Sequence, residues 1–211
     1  MRKFNLVMVL LTALTTFTVG QAFAYPVSDG DSVYLTAYET DPSVSGKNIG
    51  NWSVYSDSSS YLFETFCVER WDTYYPGSAH VYTVTITDSV LGDKPNSLNG
   101  GSKYLYWNFV NGTLGSSYTG SSLSVAALQN AIWMLQGDIP VVEDNSFYQL
   151  GLNNTATGNG YNVMVMNLWD AAGNAYQSQL IANAPVPEPA TMVLLGSGLV
   201  GLAFYRRKMK K

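Results

Sequence analysis

Alternating apolar and polar residues predict β-strands along most of the chain. In the stretch 32–38, apolar Val33, Leu35 and Ala37 lie at every second position, between polar or aromatic residues. This period of two is typical of a strand with one buried face. The predicted strands are 32–38, 61–68, 81–87 and 161–169. Gly- and Asn-rich breaks fall at 46–51, 92–102, 111–122 and 151–160. The pattern predicts a mainly antiparallel β fold.

One stretch has helical spacing instead. Ser121 or Ser122 can cap a helix over residues 123–136, which Gly137 would end. Its predicted buried face consists of Leu128, Ala131, Ile132 and Leu135. The stripe beside this face consists of Gln129, Trp133 and Gln136. A second, shorter helix would lie just after it or over 103–110. The predicted architecture is therefore a sandwich-like antiparallel β fold with one or two helices.

The first 24 residues have the pattern of a secretory signal peptide. Charged Arg2 and Lys3 precede an apolar run from Leu6 to about Val19, and Ala22 and Ala24 are the small residues that signal peptidase reads. We expect cleavage after Ala24. A retained N-terminal membrane helix is the alternative.

The C-terminal 27 residues combine three segments. Pro187, Glu188 and Pro189 lie in an extended, proline-rich spacer, a charge-free apolar run predicts a single transmembrane helix at 190–205, and a basic cluster follows. By the positive-inside rule this cluster stays on the cytoplasmic side, so the preceding chain lies outside. The run is short for a membrane crossing, although Tyr205 and the basic residues extend its reach.

This three-part order resembles the PEP-CTERM sorting signal of Gram-negative bacteria, a tail also named after an ice-binding protein that carries it. The resemblance implies that exosortase recognises the Pro-Glu-Pro motif and processes the tail. Such substrates are linked to extracellular polysaccharide and biofilm. The implied localisation is export across the inner membrane, at least transient anchoring, and then the cell surface or exterior. A plain tail anchor is the alternative.

The charges between the two ends are mostly acidic. Residues 25–184, the predicted exported domain, contain four Lys or Arg against fourteen Asp or Glu, a net charge near −10. Such a surface repels nucleic acid, so no nucleic-acid partner is expected. The length of this region is sufficient for one domain with its own core.

The only cysteine of the chain, Cys67, follows Phe66 in an apolar stretch. A lone cysteine in an exported protein has no internal disulfide partner. Composition alone favours a small buried core residue. An intermolecular disulfide and lipid attachment stay open, although no lipobox-like sequence lies at the signal cleavage site.

Two segments resemble the motifs of thioester (TQXA-type) domains of bacterial surface adhesins. They are Phe66-Cys67-Val68-Glu69 and the 128–133 segment Leu-Gln-Asn-Ala-Ile-Trp, in which Leu128 stands where the family has Thr. The family's later glutamine element is best matched by Ser178-Gln179-Leu180-Ile181. The resemblance implies a Cys67–Gln179 thioester with Gln129 and Trp133 as supporting residues. Gln177 is the alternative glutamine.

A thioester domain would be adhesive without being an enzyme, and it needs no cofactor. The stored acyl group would react once with an amine or hydroxyl group on a partner surface. The alternative function is a non-covalent structural or polysaccharide-binding protein of the biofilm matrix, with Trp52, Trp71 and Trp107 as candidates for stacking on sugars.

Other candidate sites have weaker patterns. His80 is the only histidine and has no nucleophile motif near it. Asp29 and Asp31 flank a glycine but lack the spacing of a calcium loop, which favours a turn. A glycosidase pair, such as Glu64 with Glu69 or Asp72, is defined in space and is neither favoured nor excluded by the sequence. No metal site is expected.

Overall fold

The computed structural model describes residues 23–37, 51–70, 75, 77–92 and 95–185. Residues 25–183 form one compact unit. The apolar run of the predicted signal peptide and the predicted transmembrane helix lie outside the described residues. No helix within the described ranges has the length and apolar character needed to cross a membrane.

Ten strands and four helices occur within the described residues. In chain order they are β1 (Phe23–Ala24), β2 (Ser32–Ala37), β3 (Trp52–Ser56), β4 (Tyr61–Thr65), β5 (Tyr82–Thr87), β6 (Ser89–Val90), β7 (Asn96–Ser97), α1 (Gly100–Val110), α2 (Ser122–Gln136), α3 (Ser146–Asn153), α4 (Thr155–Gly158), β8 (Val163–Trp169), β9 (Ala175–Ala182) and β10 (Ala184–Pro185). The predicted mainly antiparallel β fold with helices is confirmed.

Six strands form one antiparallel sheet in the order β4-β3-β2-β5-β8-β9. Its two outer strands also meet, because the chain just after β4 runs along β9. The amide of Leu180 donates to the carbonyl of Phe66 at 3.0 Å, and the amide of Val68 donates to the carbonyl of Ser178 at 2.9 Å. The sheet therefore closes on itself, whereas the predicted sandwich would need two stacked sheets.

The period-two alternation of the strands separates two cores. In β8, Val163 and Val165 pack toward the helices, and Met166 and Leu168 pack on the opposite face. The helix-side core comprises Phe66, Val68, Val90, Leu98, Leu105, Tyr106, Leu114, Val125, Leu128, Ala131, Ile132, Phe147, Val163, Val165, Leu180 and Ala182. The sheet-interior core comprises Val27, Val33, Leu35, Trp52, Val54, Cys67, Tyr82, Val84, Ala126, Trp133, Met166, Leu168 and Ile181.

Helix α2 matches its prediction closely. The Ser121 side chain accepts from the amide of Ser124 at the N-terminus, and Gly137 ends the helix with a left-handed φ of 81°. Leu128 and Ile132 belong to the helix-side core, whereas Trp133 reaches the sheet-interior core. Helix α2 thus contributes to both cores.

The region 151–160 contains helical residues where the sequence predicted a break. Asn145 caps α3 by accepting from the amides of Phe147 and Tyr148, and α4 follows directly. The glycines that favoured a break are contact points instead, because a side chain on Gly158 would collide with the carbonyl of Gly100 in α1. Helix packing therefore overrides the local turn preference here.

Candidate functional site

Cys67 and Gln179 lie opposite each other where the two outer strands meet. The predicted strand 61–68 is regular only to Thr65, and Cys67 then forms an isolated antiparallel bridge with Gln179. The backbone bonds of this pairing join the flanking residues, so Cys67 and Gln179 are a non-hydrogen-bonded pair. In such pairs the Cα atoms approach to about 4.5 Å and the side chains are closest.

The two side chains are in contact in a buried environment. Cys67 is 2% exposed and Gln179 is fully buried. The Nε2 atom of Gln179 lies 3.5 Å from the Sγ atom of Cys67 and donates to the carbonyl of Gln177 at 3.1 Å. The Oε1 atom of Gln179 is buried without a hydrogen-bond partner among the described residues. An unpaired buried carbonyl oxygen is costly and calls for a functional explanation.

Gln129 lies at the same site, on helix α2. Its Oε1 atom accepts from the amide of Cys67 at 2.9 Å, and its Nε2 atom donates to the carbonyl of Cys67 at 2.9 Å. The side-chain amide of Gln129 thereby satisfies the backbone N–H and C=O groups of Cys67, which a neighbouring strand would otherwise pair. Through these two bonds Gln129 positions the backbone of Cys67.

Trp133 forms part of the surrounding wall. It is buried in the sheet-interior core together with Cys67. The guanidinium carbon of Arg70 lies 5.9 Å from the centre of the Trp133 ring. The Nε1 atom of Trp133 has no hydrogen-bond partner among the described residues.

A second indole contacts the sulfur directly and was missed by sequence reasoning. The Nε1 atom of Trp52 donates to the Sγ atom of Cys67 at 3.0 Å, and Trp52 is 1% exposed. Trp52 was a candidate for stacking on sugars, which its burial contradicts. Its place follows from the pairing of β3 with β4, in which Trp52 lies opposite Thr65, two residues before Cys67.

The surroundings keep the Cys67 thiol protonated. The pKa of Cys67 is raised to about 12, chiefly by burial and to a smaller extent by the negative charge of Glu69, against the lowering effects of the hydrogen bonds from Gln179 and Trp52. At neutral pH the free side chain is therefore a thiol. Any reaction at sulfur must transfer this proton locally.

Glu69 holds the strand next to Gln179. Its carboxylate accepts from the amide and from the hydroxyl of Ser178, each at 2.9 Å, and its carbonyl accepts from Nε2 of Gln177 at 2.6 Å. Gln177 is thus bonded to the backbone of Glu69, whereas Gln179 reaches Cys67. The register between the segment after β4 and strand β9 brings Gln179 to the sulfur.

The other sequence candidates do not converge on a site. His80 is exposed and lies beside Tyr75, with 5.1 Å between the ring centres. Asp31 accepts from the amide of Ser28, as expected of a turn residue, whereas Asp29 accepts from the amide of the distant Ile86 on β5. Among the described residues, no group of three or more His, Cys, Asp or Glu side chains is placed to hold a metal ion.

The candidate carboxylates and tryptophans have varied surroundings. Glu64 accepts from the side-chain amide of Asn51, whereas Glu69 binds Ser178. Trp107 stacks on Tyr161 with 5.1 Å between ring centres. Trp71, Asp72 and the motif residues Pro187, Glu188 and Pro189 lie outside the described residues.

The comparison with protein families identifies the C-terminal segment. Residues 185–208 match the family model of the PEP-CTERM protein-sorting motif. The chain therefore carries the sorting motif of an exosortase substrate. This motif implies export, transient membrane anchoring through the C-terminal tail, and a surface or extracellular fate. No curated protein and no solved structure shows a significant match to the chain.

The matched segment begins directly after the compact unit. Strand β9 ends at Ala182, and the sorting motif starts at residue 185. The match does not extend into residues 25–183, so it carries no information on the function of that unit.

Proposed function

We propose that the exported unit is a covalent adhesin that stores an internal thioester between Cys67 and Gln179. The contact between Sγ and Nε2, 3.5 Å apart in a buried setting, carries the proposal. The two groups are far apart in sequence, and the strand pairing holds them together before any reaction, so little conformational freedom remains to be lost.

Thioester formation needs only these two side chains. The sulfur attacks the Cδ atom of Gln179, the bond from Cδ to Nε2 breaks, and the thiol proton leaves with Nε2 as ammonia. The short separation of Sγ and Nε2 supports a direct proton transfer, because the pKa of the thiol is too high for a free thiolate. The bond formed is between Sγ and Cδ, without oxidation or reduction.

Burial explains how the product would persist. Water hydrolyses thioesters, and both side chains are almost completely covered by the protein. A partner with a reactive amine or hydroxyl group would attack Cδ, form an amide or an ester, and return the proton to sulfur. The product stays bonded to Gln179, so the domain acts once and is not an enzyme.

The sorting motif indicates where in the cell this reaction would take place. As an exosortase substrate of a Gram-negative bacterium, the protein would display residues 25–184 outside the inner membrane. Signal peptidase would remove the signal peptide, and a transmembrane helix at 190–205 would hold the chain in the membrane. Surface amines, hydroxyl groups or extracellular polysaccharide then become the partners of the thioester. Such attachment suits a biofilm matrix.

The intact mass of the purified unit tests the proposal. Residues 25–183 are suitable because they form a compact unit with both cores. Purified without amines or strong reductants, the unit should be lighter than its sequence mass by one ammonia. The Cys67→Ala variant should show its full calculated mass. A full mass for the parent unit, with Cys67 alkylated only after unfolding, would exclude the thioester.

The alternative is a non-covalent matrix protein that binds polysaccharide. Exposed aromatic rings favour it, since Tyr61 is 55% exposed and Tyr75 is 50% exposed. This function predicts that binding to polysaccharide is lost in Tyr61→Ala or Tyr75→Ala and is unchanged in Cys67→Ala. Retention on a polysaccharide column distinguishes the two functions.

A further inference from the structure

The sulfur of Cys67 accepts a second hydrogen bond, shorter than the one from Gln179. The donor is the indole nitrogen of Trp52, 3.0 Å from Sγ and buried on β3. A buried N–H group pointing at a sulfur favours the form of that sulfur with more negative charge. Sulfur gains such charge when it leaves Cδ as a partner opens the thioester.

The position of Trp52 is fixed by the sheet. Trp52 lies opposite Thr65, and the hydroxyl of Thr65 bonds to the carbonyl of Leu180 on β9. The ring also belongs to the packed sheet-interior core. The donor is therefore held in place before reaction, which is the condition under which a hydrogen bond stabilises developing charge most.

A second tryptophan provides an internal comparison. Trp169 ends β8, and its Nε1 atom is buried with no hydrogen-bond partner among the described residues. The two rings are alike in size, and they differ in what their N–H groups contact. Replacing each by Phe removes similar bulk, so the difference between the variants reports the bond to sulfur.

From this geometry we infer that Trp52 is a catalytic residue of the thioester, whose N–H group stabilises the Cys67 sulfur when the thioester forms and when a partner amine opens it. The inference rests on the proposed function. During opening, the amine nitrogen bonds to Cδ, the bond from Cδ to Sγ breaks, and the amine proton passes to the sulfur. The N–H group of Trp52 is not consumed.

The test measures how fast methylamine opens the thioester in residues 25–183. Intact mass follows the gain of one methylamine at a series of times. Trp52→Phe should slow opening roughly tenfold, as expected for one lost hydrogen bond to a charged group. Trp169→Phe, which removes similar bulk outside the site, should react at the parental rate.

A second measurement observes the bond itself. In the Gln179→Ala background the thiol is free, and the chain has a single cysteine, so the infrared S–H stretch is a single band. Trp52→Phe should shift this band, and Trp169→Phe should leave it unchanged. If Trp52→Phe fails to fold, the benzothienyl analogue of tryptophan at position 52 removes the N–H group and keeps the ring shape.

The outcomes separate the two claims. A parent unit of full calculated mass overturns the proposed function together with this inference. A parent unit that lacks one ammonia, combined with an unchanged or faster opening in Trp52→Phe, overturns only the role of Trp52. An equal slowing in both Phe variants also overturns that role, because it reports general loosening of the core.

Discussion

The carboxylate of Glu69 accepts two hydrogen bonds from Ser178, the residue directly before Gln179. Both Glu69 and Ser178 are buried, so these bonds are shielded from water and hold the two strand segments in one register. A shift by one residue would turn Gln179 away from the sulfur. The pair therefore determines which glutamine meets Cys67.

This register predicts that Gln179, and not Gln177, supplies the acyl group. Gln179→Ala should abolish the loss of ammonia in the intact mass. Gln177→Ala should retain it, because Gln177 bonds to the carbonyl of Glu69 and has no bond to Cys67. A retained mass deficit in Gln179→Ala would show that a different acyl donor is used.

Gln129 should be needed for both stability and the cross-link. Gln129→Ala leaves the buried amide and carbonyl of Cys67 without partners, and we expect a loss of about 3 kcal/mol in the free energy of unfolding. Urea unfolding measures this loss, and intact mass should show incomplete thioester formation. Gln149, partly exposed on α3, provides the control: Gln149→Ala should change stability by less than about 0.5 kcal/mol.

The buried thiol should make stability depend on alkaline pH in Gln179→Ala, which lacks the acyl donor. The folded state raises the pKa of Cys67 from 9.0 to about 12, so the unfolded chain loses the thiol proton first as the pH rises. The stability provided by the protonated thiol is complete below about pH 9. It should fall between pH 9 and 12 by about 1.4 kcal/mol per pH unit.

The control for this prediction is the double variant Cys67→Ala, Gln179→Ala. Burial raises the pKa of Tyr106 and Tyr82 as well, so both proteins lose stability at high pH. The difference between their unfolding free energies isolates Cys67. A difference that stays constant over this pH range would contradict a buried, protonated thiol.

Processing of the tail should depend on the matched motif. Proline as a residue type favours an extended backbone of the kind that processing enzymes bind. Pro187→Ala with Pro189→Ala, both within the matched motif, should therefore leave an unprocessed chain in the membrane fraction. Immunoblotting of cell fractions measures this accumulation. Pro140→Ala, at an exposed position outside the motif, should be processed normally. Normal release of the double variant would count against exosortase recognition.

The alternation of the strands and the caps of helix α2 could be predicted from residues close together in the sequence. Val163 and Met166 lie in different cores, as their alternation predicted, and α2 begins and ends at its predicted caps. These features depend on neighbours in sequence. The glycines in α3 and α4 were misleading because close packing of α4 on α1 needs Gly158, and this requirement is tertiary.

The site was only partly accessible to the same reasoning. The resemblance to thioester domains proposed Cys67 and Gln179, and the structure places them in contact. Trp52 has no motif, and its contact with sulfur depends on the pairing of β3 with β4. Likewise, Glu69 and Ser178 are 109 residues apart, so only the closed sheet brings them together.

The position of Gln179 on the last strand of the sheet has a mechanical consequence. Strand β9 ends at Ala182, and the sorting motif follows from residue 185. If a partner is attached through Gln179, tension between that partner and the anchored tail runs along this short piece of backbone. The rest of the domain carries none of this force. The attachment would therefore withstand pulling even if the rest of the domain unfolded.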